Sequence, residues 1–328
     1  MPLEGKMGRM THTIRPFSFS DADYQSAINL RNRLYPDLPS TVEIWKHNDR
    51  SRRRDPSYHF FVAEAPSGKL LGFAQTAKLN VRSQKFSLGI ICQSAGWQDG
   101  VADSLLDAVK QAAKSQNGNA LVQKVQESDS DKLAFLTGRG FESIMRYPLS
   151  ALDVSSFNAA PFRKKLAQTA ASGITISQMP AGWQHDSVQQ RFIHELDWQM
   201  MLDVPHHEER VKKSLEAFLA DEVHHPNAFP ESYFIAYDGS QAVGLTCFVK
   251  RGGKTNTVST AITGVLRSHR RKGIATALKV HSIEFAKSIA ECQTIITNNE
   301  ENNPMYLLNQ RLGFVARPAW LDLELKIA

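Results

Sequence analysis

The stretch from Thr263 to Lys279, TGVLRSHRRKGIATALK, gathers residue types suited to holding an anion. An apolar run ends at Val265–Leu266, and Arg267, Arg270, Arg271 and Lys272 follow before Gly273. Beyond the glycine, Ile274, Leu278, Phe285 and Ile289 recur at near-helical spacing, so Gly273 stands where a helix begins. A glycine there lets backbone approach a ligand closely, because it carries no Cβ. The first N–H groups of a helix lack partners and its dipole favours negative charge, and the neighbouring cations reinforce that field. Phosphate or pyrophosphate is the group such a site would hold best. The ordinary alternative is a solvated basic loop that merely precedes a helix.

The elements that must position this loop occur twice. YHFFVAEAPSGKLLGFAQ in the first half and SYFIAYDGSQAVGLTCFV in the second are apolar runs folded about Ser67-Gly68 and Asp238-Gly239, the pattern of a β-hairpin. Each is followed by a strand, a glycine-containing turn and an amphipathic helix. Gly273 lies 173 positions after Gly100 (273 − 100), and the same interval separates Ala275 from Ala102 and Gly313 from Gly140. A constant register of this kind marks a tandem duplication. FNAAPFRKKLAQT, from Phe157 to Thr169, is polar and without sustained apolar period, so it reads as the connector. The expected domains are therefore residues 1–160 and 161–328. Each unit reads as strand, one or two helices, hairpin, strand, helix, strand, helix, strand, which implies βαβ crossovers and a mixed sheet.

Bulk composition narrows the class. The chain has 328 residues, 42% hydrophobic and 22% charged, enough to bury two cores. Its formal net charge is +6. Cys92, Cys247 and Cys292 are isolated, odd in number and without a CxxC pair, which argues against a disulfide framework or a zinc site. No apolar stretch approaches a membrane span, and MPLEGKMGRMTH lacks a signal-peptide h-region, so the expectation is a soluble, cytoplasmic protein.

Arg270-x-x-Gly273-x-Ala275 closely resembles the Q/R-x-x-G-x-G/A acetyl-CoA signature of the GNAT acetyltransferase superfamily. The hairpin before it and NPMYLLNQRLGF after it sit where that family has them, so the resemblance covers residues 174–328 and recurs more weakly over 12–155. It implies an α/β fold of the mixed-sheet kind: two tandem GNAT units, each mostly antiparallel with splayed central parallel strands flanked by helices. It implies acetyl-CoA as co-substrate, with Val265 and Leu266 pairing along the pantetheine arm. The backbone of Arg271, Lys272, Gly273, Ile274 and Ala275, with Thr276 beside it and Arg270 leading, would cradle the pyrophosphate. Asn302 would touch the pantetheine, and an N–H near Val265 would polarise the thioester carbonyl. An acceptor amine would then attack directly.

The sequence departs from the family pattern at one catalytic position. Asn309 stands where many members place a tyrosine that protonates the leaving thiolate, five residues before Phe314. Tyr306, three residues earlier on a neighbouring helix face, is the substitute candidate, with a solvent proton as the alternative. An incoming ammonium must also lose a proton. LDWQMMLDVPHHEER supplies Asp203, His206, His207, Glu208 and Glu209, with Asp203 the first candidate base. The competing reading is an Asp capping the turn before Val204-Pro205. Trp198 and Trp320 are weighed as walls of the same acceptor pocket, and His281 as a packing histidine.

In the first half, Trp97-x-x-Gly100-x-Ala102 loses the leading cation, Asp99 adds a negative charge, and Leu136 takes the tyrosine position. The second unit is therefore expected to transfer acetyl from acetyl-CoA to a primary amine of a small molecule or peptide. The doubled architecture also resembles the mycothiol synthases, and a non-catalytic acyl-CoA-binding module is the further alternative. Gly252-Gly253-Lys254-Thr255 lacks the earlier glycine of a P-loop. The pairs His206-His207 and His224-His225 lack metal-ligand spacing. The run Arg50, Arg52, Arg53 and Arg54 has no base-reading context. No metal, nucleic-acid or membrane partner is expected, and the chain would act as a monomer or homodimer.

Overall fold

The chain alternates strands and helices in two matching series, and the computed structural model describes residues 11–36 and 39–327. The first series is β1 (Thr13–Pro16), α1 (Asp21–Leu34), α2 (Val42–Arg52), β2 (His59–Glu64), β3 (Leu70–Thr76), β4 (Lys85–Cys92), α3 (Val101–Lys114), β5 (Ala120–Gln126), α4 (Ser130–Thr137) and β6 (Glu142–Asp153). The second is α5 (Arg163–Ala171), β7 (Ile174–Gln178), α6 (Ser187–Met201), α7 (Leu215–Phe218), β8 (Phe234–Asp238), β9 (Gln241–Arg251), β10 (Lys254–Val265), α8 (Ile274–Lys287), β11 (Thr294–Asn298), α9 (Pro304–Arg311) and β12 (Val315–Lys326). Both hairpins form as expected, β2 with β3 and β8 with β9, all antiparallel. Asp21 and Asp23 in the first turn of α1 and Arg31 and Arg33 in its last match the helix dipole.

The chain divides into two compact units, one ending at Arg146 and resuming at Pro318, the other running from Tyr147 to Arg317. This differs from a boundary at 160. Leu149–Asp153 pair with β11 in the second unit, and Trp320–Lys326 pair with β5 in the first. Each unit is thus completed by the strand that follows the other half's last helix. The open edges of β5 and β11 need a partner for their N–H and C=O groups, and either copy of a duplicated strand satisfies them. Local pattern carries no information about which copy is used.

In the first unit the strand order is β1-β2-β3-β4-β5 followed by the C-terminal strand. Alternate residues of β2 and β3 serve opposite faces, as the strand period requires. Phe60, Val62 and Phe73 pack with Tyr24, Ala27 and Leu30 of α1. Ala63, Leu71 and Ala74 pack with Leu105, Leu106 and Val109 of α3. In the second unit the order is β6-β11-β10-β9-β8-β7. Ile193, Leu196 and Met200 of α6 cover one face, against Ile235, Leu245, Cys247 and Ile262. Ile274 and Leu278 of α8 cover the other, against Phe234, Ala236 and Val243, as the helical spacing predicts. Among the described residues no helix is long and apolar enough to cross a membrane.

Both units contain one parallel pair that parts early. β10 runs beside β11 only over Thr257–Ser259, paired with Thr294–Ile296, and then continues to Val265 against β9 alone. β4 runs beside β5 over Lys85–Leu88 and continues to Cys92. The expected splayed strands are therefore present twice. Alternate backbone groups of the diverging segments face a gap rather than a neighbouring strand.

Candidate functional site

The glycine turn after β10 has a backbone geometry that suits an anion. Gly273 caps α8 at φ 86°, ψ 0°, a left-handed conformation costly for any residue with a Cβ. Arg271 before it is also left-handed, at φ 65°. Consecutive turns of this kind point several N–H groups the same way. Among the described residues, the backbone N–H groups from Arg271 to Thr276 meet no acceptor. Arg270, Arg271 and Lys272 are exposed around them. A run of unpaired donors at a helix N-terminus under three cations fits a pyrophosphate, so these residues suit the group that acetyl-CoA would bring.

The segment expected to be a mere connector braces this cradle. Residues 163–171 form α5, and Thr169, 2% exposed, donates from Oγ1 to the carbonyl of Lys272 at 3.0 Å. A Cβ on Gly273 would lie 2.5 Å from Thr169 Oγ1 and 2.6 Å from Lys165 Cε. Glycine is thus required twice over, by conformation and by the close approach of α5. Lys165 consequently lays its aliphatic stem along the loop and brings a further ammonium to it. The sequence signal was the basic triplet Arg163-Lys164-Lys165 within that segment; its polar pattern concealed the helix, whose buried contacts rest on Thr169 and the half-buried Leu166.

Asp203 sits in the turn after α6 but does not stand free. Its carboxylate accepts from Arg267 Nε at 2.7 Å and from the guanidinium NH2 groups of Arg267 and Arg270. Arg270 Nε also donates to the carbonyl of Val265 at 3.2 Å. The hydrogen bond from Arg267, aided by both positive charges, lowers the Asp203 pKa. A carboxylate so held is a weak base, and the geometry makes it the anchor that aims two arginines of the cradle. Because Arg267 is largely exposed, the pairing sets orientation more than stability.

Asp197, two turns earlier on α6, has the opposite environment. Burial, and next the negative charge of Glu222, raise its pKa to about 6, against the opposing pull of Lys213 and Arg210. Its carboxylate has no hydrogen-bond partner among the described residues. It lies near the buried Tyr233 and Cys247, whose own pKa values are raised by burial and by this carboxylate. On the same helix Met200 rests directly on β10, since a Cβ on Gly264 would meet its Sδ and Cβ at 2.7 Å. Asp197 is therefore carried on a helix seated against the diverging strand. It was passed over in the sequence although it stands in LDWQ, where one acid interrupts the apolar side of an amphipathic helix.

The remaining candidates divide. Val265 pairs with Gly244, and the Leu266 N–H is already spent on the Val243 carbonyl at 2.9 Å. Asn302 is exposed and its amide donates to Glu300 Oε1 at 2.8 Å. Asn309 is wholly buried on α9, its Nδ2 donating to Asn299 Oδ1 at 2.7 Å while its Oδ1 has no partner among the described residues. Tyr306 is half-buried one turn away. Trp198 is half-buried on α6, whereas Trp320 belongs to the first unit, because the strand that carries it pairs with β5. His281 is exposed and bonded through Nδ1 to the Ala277 carbonyl at 2.8 Å, so it lies outside the packed stripe. Among the described residues no His, Cys, Asp and Glu cluster has metal-binding geometry.

The matching turn of the first unit shares the glycine's conformation but differs before it in backbone and chemistry, Gln98 lying at φ −106° where Arg271 is at 65°. Gly100 adopts φ 86°, ψ −1°, but the N–H groups of Gln98 and Asp99 are both spent on the Ala95 carbonyl at 3.0 Å. Gln123 also reaches across the gap between β4 and β5, accepting from the Ile90 N–H at 3.1 Å.

Residues 191–314 match the Acetyltransferase (GNAT) family. A search of curated proteins returned no match. Among solved structures, the fold resembles a tandem GNAT protein from the clavulanic acid biosynthesis pathway, with 16% identity, TM-score 0.73, and coverage of 97% of this chain and 99% of that one. A GCN5-related N-acetyltransferase from Sphaerobacter thermophilus has 16% identity and TM-score 0.68, with 96% of each chain covered. A glucosamine N-acetyltransferase region within a fungal GH3 β-N-acetylglucosaminidase has 13% identity and TM-score 0.71, over 97% of this chain and 38% of that one. With the cradle after β10, the parted strands and this match in hand, residues 191–314 carry the GNAT acetyltransferase match and the chain as a whole has the tandem GNAT fold.

Proposed function

We propose that the second unit is an acetyl-CoA-dependent N-acetyltransferase acting on a primary amine of a small molecule or peptide. The observation that carries this reading is the run of unpartnered N–H groups from Arg271 to Thr276 at the mouth of the gap left by β10 and β11. Acetyl-CoA supplies the activated thioester. Arg270, Arg271, Lys272 and Lys165 supply the field for its phosphates, and Asp203 holds Arg267 and Arg270 in place. Asp197 takes the proton from the incoming ammonium. A carboxyl held near 6 is ionised at neutral pH yet more basic than an ordinary Asp. Tyr306 or solvent returns a proton to the departing thiolate.

A second reading, a non-catalytic acyl-CoA-binding module, draws on Asn309, which is buried and tied to Asn299 where an acid would be needed. Free-thiol release separates the two. The protein is incubated with acetyl-CoA and a broad panel of amines, and coenzyme affinity is measured beside it. Amine-dependent thiol release that vanishes in Gly273→Glu supports transfer. Tight coenzyme binding with no release from any amine supports the module.

A further inference from the structure

The first unit contains a cavity of about 340 Å³ on the side of its sheet covered by α1 and α2. That volume is within the ~300–1,000 Å³ range of small-molecule sites. Its floor is the segment where β4 and β5 part, Gly89 to Ile91 facing Gln123 to Gln126. The bridge from Gln123 to the Ile90 N–H occupies the gap there, and the glycine turn has spent part of its donor set internally. The cavity is therefore a poor receptacle for a coenzyme arm and is built around different chemistry.

Its central feature is Lys132 on α4, which lines the cavity although only 5% of the residue is exposed. Among the described residues its ammonium has neither a hydrogen bond nor an ion pair. Asp129, whose negative charge favours the ammonium, lines the same cavity and accepts from the Tyr35 hydroxyl at 2.7 Å. Arg31 and Arg52 also line the space, Arg52 lying 4.0 Å from the buried Asp49 carboxylate. Trp45 and Phe73, in edge contact at 5.4 Å between ring centroids, supply an apolar wall. A buried, unpaired ammonium costs stability, and an anionic ligand would offset that cost.

We infer that this cavity is a binding site for a small organic carboxylate, its carboxylate group on Lys132 and its apolar body against Trp45 and Phe73. Burial lowers the Lys132 pKa to about 8. An anion alongside stabilises the charged form, so binding near that pH takes up a proton.

The test is calorimetric titration of the full chain with benzoate, phenylacetate and 3-phenylpropionate, with benzyl alcohol as the neutral control. Phenylalanine distinguishes an amine-bearing carboxylate, for which Asp129 would hold the ammonium, from a plain one. The expected result is saturable binding of at least one carboxylate but not of the alcohol, with proton uptake at pH 8.5 read from the buffer dependence of the heat. Lys132→Met should weaken that binding at least ~30-fold, the lower end for removing one partner of a buried charge pair. It should leave acetyl-CoA binding by the second unit unchanged. Trp45→Leu, which keeps the ammonium, should weaken the aryl carboxylates several-fold and serves if the lysine variant fails to fold. Failure of every carboxylate to bind at about 10 mM, or equal affinity in Lys132→Met, overturns the inference.

Discussion

Replacing Lys279 with methionine should stabilise the second unit, and by an amount that depends on pH in a known direction. Lys279 lies on α8 and is 2% exposed. Its Nζ donates to Thr260 Oγ1 at 3.2 Å, just past the last parallel pair of β10 and β11, and sits 5.4 Å from the Phe314 ring centroid. Burial lowers its pKa from 10.5 to about 7. The folded state therefore disfavours the proton that the unfolded state holds, so stability rises with pH between about 7 and 10.5. At 1.36 kcal/mol for each tenfold change in proton affinity, the lysine costs about 4 kcal/mol at pH 7 and about 1 kcal/mol at pH 9.5. Methionine is of similar length and carries no charge, while the hydrogen bond to Thr260 is lost at about 1 kcal/mol. The expected gain is about 3 kcal/mol at pH 7, falling nearly to nothing at pH 9.5. Urea unfolding of both proteins at the two pH values measures it, and every other titrating group is common to the pair. An equal difference at both pH values would show that Lys279 is charged in the folded protein, and would refute the argument.

Four further outcomes follow from the site. Gly273→Ala should weaken acetyl-CoA binding at least tenfold and lower stability by about 1–2 kcal/mol from the left-handed backbone alone, because its Cβ also drives Thr169 and Lys165 away; unchanged affinity by calorimetry would dissolve the assigned cradle. Asp197→Asn should abolish the rise of kcat/KM through pH 6 and should stabilise the fold above that pH, since burial there opposes the charged form; a pH–rate profile identical to that of the parent removes it as base. Asp203→Asn should raise KM for acetyl-CoA several-fold through loosened Arg267 and Arg270 while leaving the pH dependence intact, so a lost pH limb would restore Asp203 as the base. Asp99→Arg alone should confer no turnover on the first unit, because the Gln98 and Asp99 N–H groups remain bonded to Ala95 and Gln123 still bridges the strands; thiol release traceable to that unit would contradict this.

The sequence by itself determined the duplication, the fold type and the glycine turn to which the anion site is assigned in the proposal. Glycine turns, hairpin dipeptides and helical or alternating apolar periods are local properties, and local backbone preference specifies them. Gly100 and Gly273 accordingly share one left-handed conformation although their surroundings differ. Only the tertiary structure decided which strand completes which unit, because two near-equivalent copies of one strand carry the same pattern. It likewise turned a polar connector into the helix that braces Gly273, and paired Asp203 with arginines 64 and 67 residues away. Among the described residues it left Asp197 and Lys132 without a hydrogen-bond partner, one half-buried on the helix seated against β10 and the other buried in a cavity. Desolvation and long-range charge pairing depend on segments distant in the chain, and those contacts, rather than residue type, separate a structural acid from a reactive one.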